Sequence, residues 1–582
     1  MLSTAWVAGN GYLAARDLQA LERTLGNLKT EAVRTTPAAR LDALTAQAQA
    51  QARRADRRTD DVVWEAWAHA PLVGSTLRTT MVLSHESAVL TDRALPSFIG
   101  TAKSVPQLRK PGGTVDIEPL RGQEPGLRLA AQTLTTSARR VGTLTVSRVP
   151  QVERGRSRFT TLISELASRA RGLAVAAAVG PDVMGFEGDR RYLVAVQNNA
   201  EARASGGIVG AYGLLSVHNG KPVLETFGPD SELRGVPRNA IDLGDEWRRR
   251  YDLLGSARDW REVTATPDFP TAAKMMLALW AATHRGQNLD GVLSIDPPGL
   301  ADILEATGPL PSTTGGQLTY KNVVARTLSE SYSLFPDKAR RSEVLSDDAE
   351  AIFTALTAGA GDSMVLGERM GHAVLGGHLK LYVTRAVLQA QLETTAVASA
   401  LPVSASPYLS VITQSGNNDK LAYYLRREVS YQGTILSTQL DFGSGKGPEP
   451  QEAGTLTVRL RNTAPASGLP EYVAPAVDLA TGRAIPRGRM RLSVSVYLGR
   501  YGQLDAATLD GQPIPITSET EQGMAVLTTA VDIDPGDTAT LVFRVLQPTE
   551  IGHQLVVLQQ PLVVADTLQV SRRDVLDTPS LN

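Results

Sequence analysis

Between residue 12 and about residue 180 the apolar positions recur every three or four residues. Leu18, Leu21, Leu25 and Leu28 form one such stripe, which is the period of an amphipathic helix. Leu41, Leu44, Ala48 and Ala55 form a second stripe, on an Ala-rich helix expected over about 38–58. Thr36 offers that helix an N-cap and Pro37 a first-turn proline. Trp64 and Trp67 fall on a third helix that ends at Pro71, and Phe159, Leu162, Ile163, Leu166 and Leu173 fall on a later one. Faces of this kind are core, so residues 1–180 are expected to form a helical bundle or stalk.

The pattern changes at Gly180-Pro181. Arg191 to Gln197 is a short apolar run of the kind that fills a strand buried on both faces. Gly213 to Val217 and Val292 to Ile295 read as further strands, with helical patterns over 270–282, 299–306 and 345–356. Strands alternating with helices predict an α/β layer sandwich over 181–405. From about residue 408 the period is two: Leu456, Val458 and Leu460, then Leu492, Val494, Val496 and Leu498, then Leu541, Phe543 and Val545. Turn signals at Asp510-Gly511 and Asp534-Pro-Gly-Asp537 separate these runs, so 406–582 is expected to be an immunoglobulin-like β-sandwich. The fold class is thus multidomain α+β.

Composition narrows the chemistry. Of the 582 residues, 42% are hydrophobic and 20% charged, with a net charge of −1. That is a globular balance without the basic field that nucleic acid requires. The absence of cysteine excludes disulfides, thiolate catalysis and cysteine-based metal sites. The histidines are scattered, and His372 and His378, though close together, show no carboxylate nearby in sequence. Met1 to Ala15 is mostly apolar but shorter than the roughly 20 residues that span a bilayer. It reads either as an ordinary helix start or as the trailing end of a truncated membrane helix.

The densest polar cluster is the run from Gln197 to Gly213. Within it Arg203 can grip a phosphate with two parallel hydrogen bonds, and Gly206-Gly207 lets backbone approach a ligand. The glycine spacing fits neither a Walker loop nor a dinucleotide fingerprint. A ligand cradle and a polar turn that merely ties two strands together are equally consistent with these residues. Asp268 and Asp296 each precede a helix and read as caps. Tyr423, Tyr424 and Tyr472 suit either a sugar-stacking surface or buried corner tyrosines, the second reading being favoured.

The run from Tyr192 to Gly210 resembles an uncharacterised exported family common in actinobacteria, a domain of unknown function. The likeness continues through Thr266-Pro-Asp-Phe-Pro270, Asp290-Gly-Val-Leu-Ser-Ile-Asp-Pro297, Pro336-Asp-Lys-Ala-Arg-Arg341 and Tyr423-Tyr-Leu425. The central domain also resembles, more distantly, the LytR-CpsA-Psr family, which transfers polymers from polyprenyl-pyrophosphate carriers to the cell wall. That resemblance assigns phosphate handling to Arg203, Asp230 and Arg340, with Glu201 standing in for a lost carboxylate. It places Asn198, Asn199, Gly206, Gly207 and Asp337 around the ligand. Asn198 and Asn199 stand where those enzymes carry aspartate, which weakens any Mg²⁺ site and leaves the metal ligands unassigned.

The resemblance implies an extracytoplasmic protein, membrane-anchored or associated with the cell wall, that engages a polyprenyl-phosphate-linked glycan or lipid and a cell-wall polymer. It acts either as a glycopolymer phosphotransferase or as a non-catalytic glycolipid-binding or structural scaffold or adhesion protein of the cell envelope. Two expectations follow, with one discriminating observation. Arg203, Asp230 and Arg340 converge on one cleft. A long apolar tunnel ending at Arg203 would support glycan engagement, whereas a filled core would favour a structural protein. The sandwich is a separable module, so that a truncation near residue 405 keeps the ligand affinity.

Overall fold

The computed structural model describes residues 2–574 apart from 34–36, 72, 145–146, 148, 285–286, 404–406, 441–448, 479–480 and 550–554. Thr36, His553 and the expected boundary at 405–406 therefore lie outside the described residues. The chain divides into two compact units. One takes the chain up to Gly188 together with His218–Lys221 and Asp362–Glu368, and the other takes the remainder.

The first unit is helical. Its long helices are Leu2–Val33, Ala38–Thr59, Gly74–Val89, Glu124–Gly142 and Pro150–Val183. The stripe read from the sequence is its core: Leu21, Leu28, Leu41, Leu44, Ala48 and Ala52 pack with Ala88, Leu95 and Ile99. Small alanines on these stripes let neighbouring helices approach closely. Trp64 is buried at the end of this core and its Nε1 donates to Leu77 O at 3.2 Å. Pro37 lies just before its helix rather than within the first turn. Pro181 does not end the last helix, which runs on to Val183. A proline so close to a helix end removes a single backbone hydrogen bond. Among the described residues no helix is long and apolar enough to cross a membrane.

The second unit begins with a five-stranded sheet. Its strands are β1 (Arg190–Arg203), β2 (Gly206–His218), β3 (Lys221–Pro229), β4 (Gly291–Ile295) and β5 (Leu379–Val383), in the order β3-β2-β1-β4-β5. β1 runs parallel to β4, while β2 pairs antiparallel with β1 and β5 antiparallel with β4. Side chains alternate across a strand. Leu193 and Ala195 accordingly join a core with Phe269, Met275, Met276 and Trp280 of the helix Phe269–Thr283. Val194 and Val196 join a second core, with Leu300 and Ile303 of the helix Pro297–Thr307 and Ile352 and Phe353 of the helix Lys338–Thr357. Helices on both faces explain why β1 is a continuous apolar run.

The same unit contains two further sheets of six and five strands over residues 408–574. The alternating residues named above fill the space between them: Leu456, Val458, Leu460, Leu541, Phe543 and Val545 come from one sheet, Leu492, Val494, Val496 and Leu498 from the other. Asp510-Gly511 forms a two-residue hairpin turn with φ of 49° and 81°, the conformation that an Asp-Gly pair tolerates best.

Candidate functional site

The polar run after Val196 is a bulged continuation of β1 rather than a loop leaving its end. Pairing with β2 shifts register at Val196/Gln197 and again between Asn198 and Ala202, then closes at Arg203 opposite Gly206. Gly206 has a φ of 132°, and a side chain there would strike the Gln197 amide. A side chain at Gly207 would strike the backbone of Asn198. Both glycines therefore serve the close approach of two strands, as in the strand-tying reading.

The bulge sends its polar side chains in different directions. Asn198 Nδ2 donates to the Tyr332 hydroxyl at 2.9 Å. Asn199 is buried and its Nδ2 donates to Asp296 Oδ2 and to Pro561 O, each at 2.9 Å. Arg203 is buried and holds Glu262 in a bidentate contact at 2.9 and 3.1 Å, with Glu201 at 3.2 Å. Glu201 also contacts the Lys420 ammonium, which comes from the sandwich. Gln560 Nε2 donates to Arg203 O at 3.0 Å. Arg203 is thus a structural cation that ties the α/β layers to the sandwich. Arg340 is exposed and pairs with Glu343 one turn along its helix. Asp337 caps that helix, accepting from Arg340 N at 2.7 Å.

A narrow cavity of about 70 Å³ opens between β1–β2 and the helices Pro297–Thr307 and Lys338–Thr357. Its lining is mixed: Val196, Ile208, Leu300, Val323, Leu345 and Ile352 are apolar, while Asn198, Asp230, Tyr332, Lys338, Arg341, Asp348, Lys420 and Tyr472 are polar or charged. Of the residues singled out from the sequence, Asn198 and Asp230 line it; Arg203 and Arg340 do not. Arg203 and Arg340 do not join Asp230 in this cavity: Arg203 is engaged by Glu262 and Glu201, and Arg340 by Glu343. The volume exceeds the roughly 10–15 Å³ that a single water needs.

Arg341 occupies the place expected for Arg340. The next residue on a helix points about 100° away, so one arginine faces solvent and the other is 4% exposed. Arg341 Nη1 donates to Phe335 O at 2.8 Å, and the guanidinium lies 4.5 Å from the Tyr472 ring centre and 5.1 Å from that of Tyr332. Among the described residues it has no ion-pair partner. The missed signal was periodicity: Arg341, Val344, Asp348 and Ile352 are spaced three and four apart, which puts Arg341 on the buried stripe. Tyr472 is 44% exposed and covers the cavity end, so the corner-tyrosine reading fails for it. Burial pushes the Asp230 carboxyl upward, opposed by Lys338 and Arg261. Asp348 is already engaged by Arg326 and Ser312, both at 2.9 Å.

Another buried cation lies on the opposite face of the sheet. Lys380 on β5 is fully enclosed, 5.8 Å from the Phe269 ring centre, and burial pulls its ammonium down to about 8 against the attraction of Asp296. Asp296 caps its helix as the sequence suggested, accepting from Gly299 N at 3.1 Å. Burial alone would raise its carboxyl, but His378, Lys380 and Asn199 together hold it below the usual range. Asp268 is also a cap, accepting from Thr271 N at 3.1 Å.

The two histidines do have carboxylate partners, supplied from a distant part of the chain. His378 Nδ1 lies 2.8 Å from Asp296 Oδ2, and His372 Nδ1 lies 2.9 Å from Asp302 Oδ2. Among the described residues no group of three or more His, Asp or Glu could hold a metal ion. No curated protein and no solved structure matches the chain. Residues 187–332, which carry β1 to β4 and end at Tyr332 of the cavity, match the family model described as "Protein of unknown function (DUF4012)".

Proposed function

We propose that the cavity binds the phosphate of a polyprenyl-(pyro)phosphate-linked glycan, and that the chain works outside the cytoplasm, in cell-wall or exopolysaccharide assembly. The supporting observation is Arg341: a buried guanidinium without an ion-pair partner among the described residues, lining a cavity that also presents apolar side chains such as Val196, Leu300 and Ile352. A buried charge without its counter-ion is costly, and a planar guanidinium matches phosphate. Apolar side chains beside it suit a ligand that continues as a hydrocarbon chain. In this reading the central layers are LytR-CpsA-Psr-like and the two C-terminal sheets immunoglobulin-like.

The donor set favours binding over phosphoryl transfer. Mg²⁺ is held by carboxylates and phosphate oxygens. Of the two carboxylates lining the cavity, Asp348 is committed to Arg326 and Ser312, which leaves Asp230 alone alongside Lys338, Arg341 and Lys420, with Asn198 committed to Tyr332. These residues do not fit a carboxylate-held metal.

Titration calorimetry of the full chain with geranyl phosphate and with inorganic phosphate tests the reading. Geranyl phosphate is expected to bind at least about tenfold more tightly, because its chain buries apolar surface. Arg341→Met is expected to abolish both. Equal affinities would leave a simple phosphate site, and undiminished binding by Arg341→Met would overturn the assignment.

A further inference from the structure

Resting on that reading, we propose that the sandwich completes the ligand site, with Lys420 as the residue that selects ligands carrying a second anionic group beside the phosphate on Arg341. Three observations carry this. Lys420 precedes the strand Leu425–Leu440, far from the α/β layers in sequence, yet it lines the same cavity as Arg341. Both cations lie over one ring: the Lys420 ammonium is 5.2 Å from the centre of Tyr472 and the Arg341 guanidinium 4.5 Å. Lys420 N donates to Val473 O at 2.9 Å, which fixes the lysine segment against the tyrosine segment.

Lys420 is 3% exposed, and its ammonium contacts the Glu201 carboxylate. An ammonium has three donors and a carboxylate accepts along one edge. Lys420 can therefore keep Glu201 and still donate into the cavity. Burial pulls it down to about 7, and an anion in the cavity would favour its charged form. The arrangement offers one fixed, planar cation from the α/β layers and one compact cation from the sandwich. A diphosphate presents two anionic centres a short bond path apart, whereas a monophosphate can satisfy Arg341 alone.

The test is the ratio of affinities for geranyl diphosphate and geranyl phosphate, measured by titration calorimetry on the full chain. The wild-type ratio is expected to exceed about tenfold, the size of one charge-assisted hydrogen-bonded contact. Lys420→Met alone would leave the Glu201 carboxylate only its 3.2 Å contact with Arg203, so the paired variant Glu201→Gln/Lys420→Met removes both charges together and leaves Arg203 its bidentate contact with Glu262. That variant is expected to bind the two ligands alike. Lys420→Arg is expected to keep the preference. A wild-type ratio near one, or a preference that survives in the paired variant, would overturn the role of Lys420. Unchanged binding of both ligands by Arg341→Met would instead overturn the phosphate site itself, so the two failures are distinguishable.

Discussion

The two faces of the central sheet are built from the same strands and differ in what the helices bring to them. On the Phe269–Thr283 side, Phe269, Met275, Met276 and Trp280 are buried together with Leu193 and Ala195. The cation on that side, Lys380, is sealed in beside Asp296 and the Phe269 ring. On the other side the helix Lys338–Thr357 turns Arg341 toward the sheet, and a guanidinium cannot fill apolar space as a leucine would. The cavity opens beside it. Lys380 is fully enclosed, whereas Arg341 lines a cavity, and the proposed reading assigns ligand binding to the second.

The largest expected effect lies on the filled face. Phe269→Ala should cost about 3–5 kcal/mol in denaturant unfolding, through lost burial and a new void. Leu345→Ala, which only widens an existing cavity, should cost about 1–2 kcal/mol. Equal losses would erase the distinction between the faces.

Lys380 sharpens it further. Its folded value of about 8 lies below the ordinary 10.5, so between those values the unfolded chain binds a proton that the folded chain does not. Stability must then rise with pH across that window, by up to about 3 kcal/mol for a shift of this size. Lys380→Met should lose this rise. The readout is the difference between the two pH profiles from pH 7 to 10.5, and parallel profiles would show that Lys380 is not buried as described.

The smallest effect is expected at Arg340. Its exposed pair with Glu343 is worth at most about 0.5 kcal/mol, and Arg340→Ala should leave geranyl phosphate affinity unchanged. Weaker binding there would mean that the wrong face of the helix has been assigned to the ligand.

Local periodicity made much of this fold readable. A helix or strand reveals which side it buries through residues a few positions apart, so the leucine stripes, the α/β alternation and the period-two runs of the sandwich are all visible in the sequence. Helix caps such as Asp268 and Asp296 were legible for the same reason. Arg341 was legible in principle, since the spacing to Val344, Asp348 and Ile352 separates it from Arg340.

What the sequence withheld were the partners. Glu201 meets Lys420, Arg203 meets Glu262, and His378 meets Asp296, each pair joined only when distant segments pack. The polar run after β1 has the composition of a ligand loop, but its arginine is spent on a junction between layers. The separable sandwich was a local inference, and spacing along the chain gave no sign that Lys420 and Tyr472 would line a cavity together with Arg341. Composition and spacing determined which residues are buried on which element. Only the tertiary structure decided which buried charge has a counter-ion and which does not, because a counter-ion is a matter of distance in space and leaves no trace along the chain.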